Sequence, residues 1–142
     1  MAEKTYFIKG PIKPDFIAEQ IAKHSSKHGI GGHAIFLGQV RDDDHQGKKV
    51  ESIDYSAYEE MANAEVSKIR EAAFTKRTLS CLHIYHSVGK VKVGEISLFV
   101  FVSSKHRKES IAAMTELVEE IKSKVPVWKK EILQDKTEKW IE

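Results

Sequence analysis

A single cysteine, Cys81, is present in this chain of 142 residues, so no internal disulfide framework is possible and a reducing compartment, the cytoplasm, is expected. Apolar runs of 18 residues are missing as well, which excludes a membrane-spanning helix. Met1-Ala2-Glu3-Lys4 does not start a signal-peptide pattern. Charge of one sign is scarce: the net value is +2, too small to make a field that calls for nucleic acid. The sequence holds no G-x-x-x-x-G-K-[ST], G-x-G-x-x-G or G-x-S-x-G, so phosphate-cradling loops and nucleophile elbows have no support. No cofactor is expected. No metal is expected either: His24 and His28 stand four apart on a helical pattern, but no third ligand accompanies them. Cys81 sits in the strand-like run Leu79 to Tyr85 and reads as a small buried side chain.

The remaining composition is that of one soluble domain spanning 1–142, with 41% hydrophobic and 31% charged residues. Thr5 to Lys9 reads as a short strand. Pro14 opens a helix with Phe16, Ile17 and Ile21 that ends near Gly29. His33 to Val40 is an apolar strand, and Arg41 to Lys49 a polar loop. Val50 to Tyr58 alternates, with Ile53, Tyr55 and Ala57 on one face. Ala62, Val66, Ile69 and Ala73 mark a second amphipathic helix. Strands follow at Leu79–Val88 and Glu95–Val102. A third helix, from about Lys105 to Lys124, carries Ile111, Met114, Val118 and Ile121 on one stripe. Pro126 ends it, and Val127–Leu133 with Lys139–Ile141 makes a closing hairpin. The expected fold class is α+β, a mixed or antiparallel sheet with helices packed on one side and a small C-terminal β hairpin.

Three clusters can carry chemistry. Ser103-Ser104-Lys105-His106-Arg107-Lys108 places basic residues where a helix begins, with Ser104 as the cap. That end of a helix carries partial positive charge and favours acidic residues. One explanation is an anion, a phosphate or carboxylate, held by backbone N–H groups with His106 and Arg107; the other is a solvated basic turn. Arg41, where a strand meets a polar loop, either forks onto an anion or pairs with Asp42, Asp43 or Asp44. On the strand after Pro126, Val127, Lys129 and Glu131 share one face and Trp128 and Lys130 the other. A lysine on a sheltered face is unfavourable unless it is paired or working, and its pKa falls there.

Taken in order, Phe36-Leu37-Gly38-Gln39-Val40-Arg41, Tyr55 to Ala62, His86-Ser87-Val88-Gly89, Val102 to Arg107, Ile121-Lys122 and Val125 to Glu131 resemble the large catalytic subunit of molybdopterin synthase, the MoaE type. The resemblance runs from about Gly31 to Trp140. It implies an α/β hammerhead-type fold. It also implies a homodimer that becomes a heterotetramer with two small ubiquitin-like subunits, whose C-terminal Gly-Gly carries a thiocarboxylate. The implied reaction is a sulfur transfer from that tail to cyclic pyranopterin monophosphate, forming the dithiolene of molybdopterin. Lys122 and Lys129 match the catalytic positions. Gln39, Val40, Arg41, His106, Arg107, Lys130 and Glu131 match substrate-binding positions. Gln39 stands where lysine is common in the family, so it offers backbone or neutral hydrogen bonding. The family pattern continues past the final tryptophan with a polar tail, whereas this sequence stops at Trp140-Ile141-Glu142, and no contribution from such a tail is assigned. The alternative from another class is a non-catalytic module that docks a ubiquitin-like tail or a phosphorylated ligand in the same groove.

Overall fold

The computed structural model describes residues 5–141; the signal-peptide reading at Met1 to Lys4, and the terminal Glu142, lie outside the described residues. The elements run β1 (Phe7–Lys9), α1 (Pro14–Lys23), β2 (Gly32–Gln39), β3 (Asp44–His45), β4 (Lys48–Ala57), α2 (Glu59–Lys76), β5 (Cys81–Lys92), β6 (Ile96–Ser104), α3 (Arg107–Lys124), β7 (Val127–Leu133) and β8 (Glu138–Ile141). The sheet order is β2-β6-β5-β4-β7-β8, with β3 paired to β4 and β1 added to β5. All pairings are antiparallel except β1 with β5. The α+β class and the closing hairpin stand as expected.

β5 holds the sheet together by changing partners. Cys81 to His86 pair with β6, whereas Gly89 to Lys92 pair with β4. Gly89 sits at the change with φ +89°, a backbone state that side chains disfavour. β6 is the most deeply buried strand, covered on both faces. Leu98, Val100 and Val102 point at α2 and α3, meeting Val66, Ile69, Ala113, Leu117 and Ile121. Phe99 and Phe101 point the other way, into a cluster with Ile12, Phe16 and Ile17. The helices are therefore not all on one side: α2 and α3 share a face, and α1 covers part of the opposite one. Alternation along one strand sends its side chains to both layers.

Four boundaries differ from the sequence reading. α1 ends at Lys23, six residues before Gly29, because His24, Ser25 and Lys27 N–H groups turn back to carbonyls three residues earlier and tighten the chain out of the α-helix. The loop 41–49 folds into the β3–β4 hairpin. Its two turn residues, Gln46 and Gly47, both have positive φ (56° and 86°), the combination that matches strand twist. β5 extends to Lys92, so Gly89 lies within a strand. α3 starts at Arg107, so Lys105 and His106 precede it and only Arg107 and Lys108 occupy the first turn, beside Glu109. The N-cap is therefore His106, with no side-chain cap bond, and not Ser104, although the Ser104 Oγ does accept the Ser110 N–H at 3.1 Å.

β2 begins against the segment that leads into α3, and glycine is what lets it do so. A Cβ on Gly31 would lie 2.1 Å from the Lys105 carbonyl oxygen, and one on Gly32 would lie 3.3 Å from Arg107 Cα. Two glycines thus fix how close the basic turn comes to the sheet edge.

Candidate active site

A cavity of about 560 Å³ opens where the two parts of the sheet meet beneath the end of α3. One wall is the end of β2, with Phe36, Gln39, Val40 and Arg41. The floor is Ile53, Tyr55, His86, Ser97 and Leu98, and the far wall is Val127, Lys129 and Glu131 of β7. Lys122 and Val125 close the side at the helix end. The local reasons are simple. β2 bulges between Gly38 and Gln39, which turns Gln39 and Arg41 out of the strand and towards the opening. β7 pairs with β4 through Tyr55 and Lys129, so strand alternation puts Val127, Lys129 and Glu131 on the cavity face. Lys122 lies in the last turn of α3, where a cation suits the helix dipole.

Positive charge converges here. Lys129 is half-buried, and its pKa is lowered first by burial and then by the Lys122 and Arg41 charges. Among the described residues no carboxylate forms an ion pair with it. His86 forms the floor. Its pKa is lowered to about 4, mainly by burial and then by the Lys129 and Lys122 charges, against a hydrogen bond from its Nδ1 to the Ser87 carbonyl at 2.8 Å that acts the other way. At neutral pH the ring is therefore uncharged, with Nδ1 donating and Nε2 left as an acceptor. Tyr55 donates its hydroxyl to Ser97 Oγ at 3.0 Å and packs edge-on against His86. Glu131 is buried and meets His45 Nε2 at 2.9 Å, so its carboxylate is held by a side chain from the β3 hairpin. Together these groups form a hollow in which positive charge converges above a neutral imidazole.

Six of the nine residues singled out from the sequence meet in this cavity: Gln39, Val40, Arg41, Lys122, Lys129 and Glu131. Val40 is 2% exposed and belongs to the core; its N–H and carbonyl are used by Glu95 and Gly94. Arg41 sits at the rim and pairs with Asp43 at 3.1 Å, so the pairing expected of a surface arginine is present even at the site. Lys130 is not in the cavity. It lies on the other face of β7, over the Trp140 ring at 5.2 Å and 3.5 Å from Glu138. His106 and Arg107 are exposed at the far end of α3, about 24 Å from Lys122 at 1.5 Å per residue. Within one chain they do not reach the cavity.

Sequence patterns miss two participants. They place His86 in a strand with no role, and they place His45 in a loop. No local pattern marks either; both acquire their position from pairings between residues distant in the chain, β5 with β6 and β1 for the first and the His45–Glu131 contact for the second. No helix among the described residues is long and apolar enough to cross a membrane.

Comparison with known proteins gives one answer. The family model described as MoaE protein matches residues 9–124. The molybdopterin synthase catalytic subunit of Pyrococcus abyssi is 42% identical over 139 residues, covering 98% of this chain and 91% of that protein. The crystal structure of molybdopterin synthase from Staphylococcus aureus superposes with a TM-score of 0.85 at 30% identity, covering 100% of this chain and 99% of that one. A complex of subunits 1 and 2 of molybdopterin-converting factor from Helicobacter pylori has a TM-score of 0.79 at 21% identity, covering 95% and 86%, and shares the fold.

Proposed function

The chain belongs to the MoaE family, and from that premise we propose that it is the catalytic subunit of a molybdopterin synthase, a sulfurtransferase of molybdenum cofactor biosynthesis working in the cytoplasm. Its substrate is cyclic pyranopterin monophosphate. Its sulfur comes from the thiocarboxylated C-terminus of a small ubiquitin-like subunit. The observation that carries the reading is the cavity with Lys122, Lys129 and Arg41 converging on one opening. A cyclic phosphate and a thiocarboxylate are both anions, and bringing them together requires fixed positive charge.

In this reading Arg41 and Lys122 bind anions at the rim, and Gln39 offers neutral hydrogen bonds. Lys129, with its lowered pKa, moves the proton as thiocarboxylate sulfur attacks the pterin carbon and the displaced oxygen leaves; water then cleaves the acyl–sulfur bond, so the sulfur stays on the pterin and the small subunit departs as a carboxylate. His86 accepts a hydrogen bond at the floor, and Glu131 with His45 fixes the wall behind Lys129. His106 and Arg107 come from a second copy of the chain. A two-fold axis can set the start of one α3 beside the end of the other, which gives a homodimer and, with two small subunits, a heterotetramer. Cys81 takes no part, being absent from the cavity lining.

The test is reconstitution. The purified chain, a thiocarboxylated small subunit and cyclic pyranopterin monophosphate should yield a dithiolene product, and omitting any one of the three should yield none. Binding of the small subunit and of phosphate without product would favour the docking-module alternative. Lys129→Arg separates the two readings further, since arginine keeps the charge but cannot release a proton.

A further inference from the structure

On the α1 side of the sheet, remote from the cavity lining, His24, Cys81 and His83 bring three soft or borderline donors together. We propose that they bind a transition-metal ion, by donor chemistry a zinc-class divalent cation held by two imidazole nitrogens and one thiolate. Nε2 of His24 and Nε2 of His83 stand 3.1 Å apart, and all three donor atoms lie within 4.8 Å of one another. A tetrahedral zinc, with bonds of about 2.0–2.1 Å to nitrogen and 2.3 Å to sulfur, needs its donors roughly 3.3–3.6 Å apart. The two nitrogens need to part slightly and the sulfur to close by up to roughly 1 Å, and a water would supply the fourth ligand.

The surroundings are those of a ligand set. His24 is 6% exposed and Cys81 7% exposed. His24 Nδ1 donates to the Gln20 carbonyl at 2.7 Å, which fixes the tautomer and leaves Nε2 as the bare nitrogen a metal takes. Cys81 and His83 are two apart on β5 and so share a face. Lys27 Nζ donates to Cys81 Sγ at 3.0 Å. The early end of α1 makes this possible: the chain leaves the helix at His24 and turns that ring onto β5, and His28 plays no part. On binding, the Cys81 thiol releases one proton to solvent, and each histidine binds as a neutral ring through Nε2. The ion would pin the end of α1 to β5, next to the segment that leads through Gly31 into β2.

The experiment uses the full chain, stripped with chelator and kept reduced, titrated with Co²⁺ and then with Zn²⁺. The expected result is one equivalent bound per chain, a near-ultraviolet sulfur-to-cobalt charge-transfer band and strong visible bands of four-coordinate cobalt, displaced by zinc. Cys81→Ser should abolish the charge-transfer band. His83→Ala should weaken zinc, in competition with a chromophoric chelator, by about tenfold or more, the scale at which even outer-shell partners act. His28→Ala should leave both unchanged. A wild-type cobalt spectrum without the charge-transfer band would overturn the proposal without reference to any variant. So would zinc binding that Cys81→Ser and His83→Ala, each shown folded by circular dichroism, leave intact; the histidine pair would then be a hydrogen-bonded packing element only.

Discussion

Replacing Lys129 by methionine should stabilise the protein while removing its activity. The side chain is half-buried and faces Lys122 and Arg41, and its pKa is lowered by burial and by those two charges. A lysine whose folded pKa lies below its unfolded value burdens the native state at every pH where it is protonated in the fold. The burden is full at neutral pH, shrinks as pH rises through the folded pKa, and vanishes above the unfolded value near 10.4. Methionine keeps the apolar stem that packs in the wall of the cavity and deletes the charge. Relief of one misplaced charge is worth about 0.5–2 kcal/mol. In a domain of this size that raises Tm by roughly 2–6 °C at pH 7. Loss of a general acid or base removes about 10²–10⁴ in rate, or roughly 3–5 kcal/mol of barrier. The assay is a thermal melt of wild type and Lys129→Met at pH 7 and again above pH 10, with turnover measured in the reconstituted system. The gain in Tm should fade at the higher pH. A destabilised variant, a gain that ignores pH, or normal turnover would each refute the reasoning.

Lys122→Ala, at an exposed helix end, should shift stability by no more than about 0.5 kcal/mol yet lower turnover by tenfold or more, on the scale of about 10²-fold for a lost acid–base or electrostatic group; a melt beside a rate measurement separates the two. His86→Gln should flatten the acid limb of the stability curve. With a folded pKa of about 4 against 6.5, wild type loses up to about 3 kcal/mol as pH falls from roughly 6.5 to 4, and urea titrations across that range should show the difference between the two proteins. Gly31→Ala should destabilise by about 1–3 kcal/mol, since the new methyl meets a backbone oxygen that cannot step aside. Gly29→Ala, which meets nothing within 4 Å, should be neutral or slightly stabilising, and paired melts decide it.

Much of the sheet is legible in the sequence because its pattern is local. Alternation alone names the cavity face of β7, and it separates His83 from His86. Pro126 and the four-residue turn after Leu133 mark the closing hairpin. The misses share one physical cause, which is that they depend on what lies across the fold. α1 continues in propensity past Lys23, but His24 is drawn to Gln20 and His83, and the chain turns. β3 requires positive φ at Gln46, which no hydrophobic period reveals. The second aromatic layer of β6 requires α1 on the far face, and a strand buried on both sides does not say what covers each. The basic turn at 105–108 has the composition of a site, yet the cavity lies at the opposite end of α3. Lys130, beside Lys129 in sequence, faces away from it.

The most direct test of a site completed by two copies is complementation. A His106→Ala/Arg107→Ala chain is mixed with a Lys122→Ala chain, subunit exchange is confirmed by native mass spectrometry, and dithiolene formation is measured with the thiocarboxylated small subunit. The account predicts that each variant alone is nearly inactive and that the exchanged mixture regains part of wild-type turnover, because one of the two sites in a heterodimer is intact. Exchange without any recovery would mean that the end of one α3 does not work with the start of another, and the shared site would be wrong.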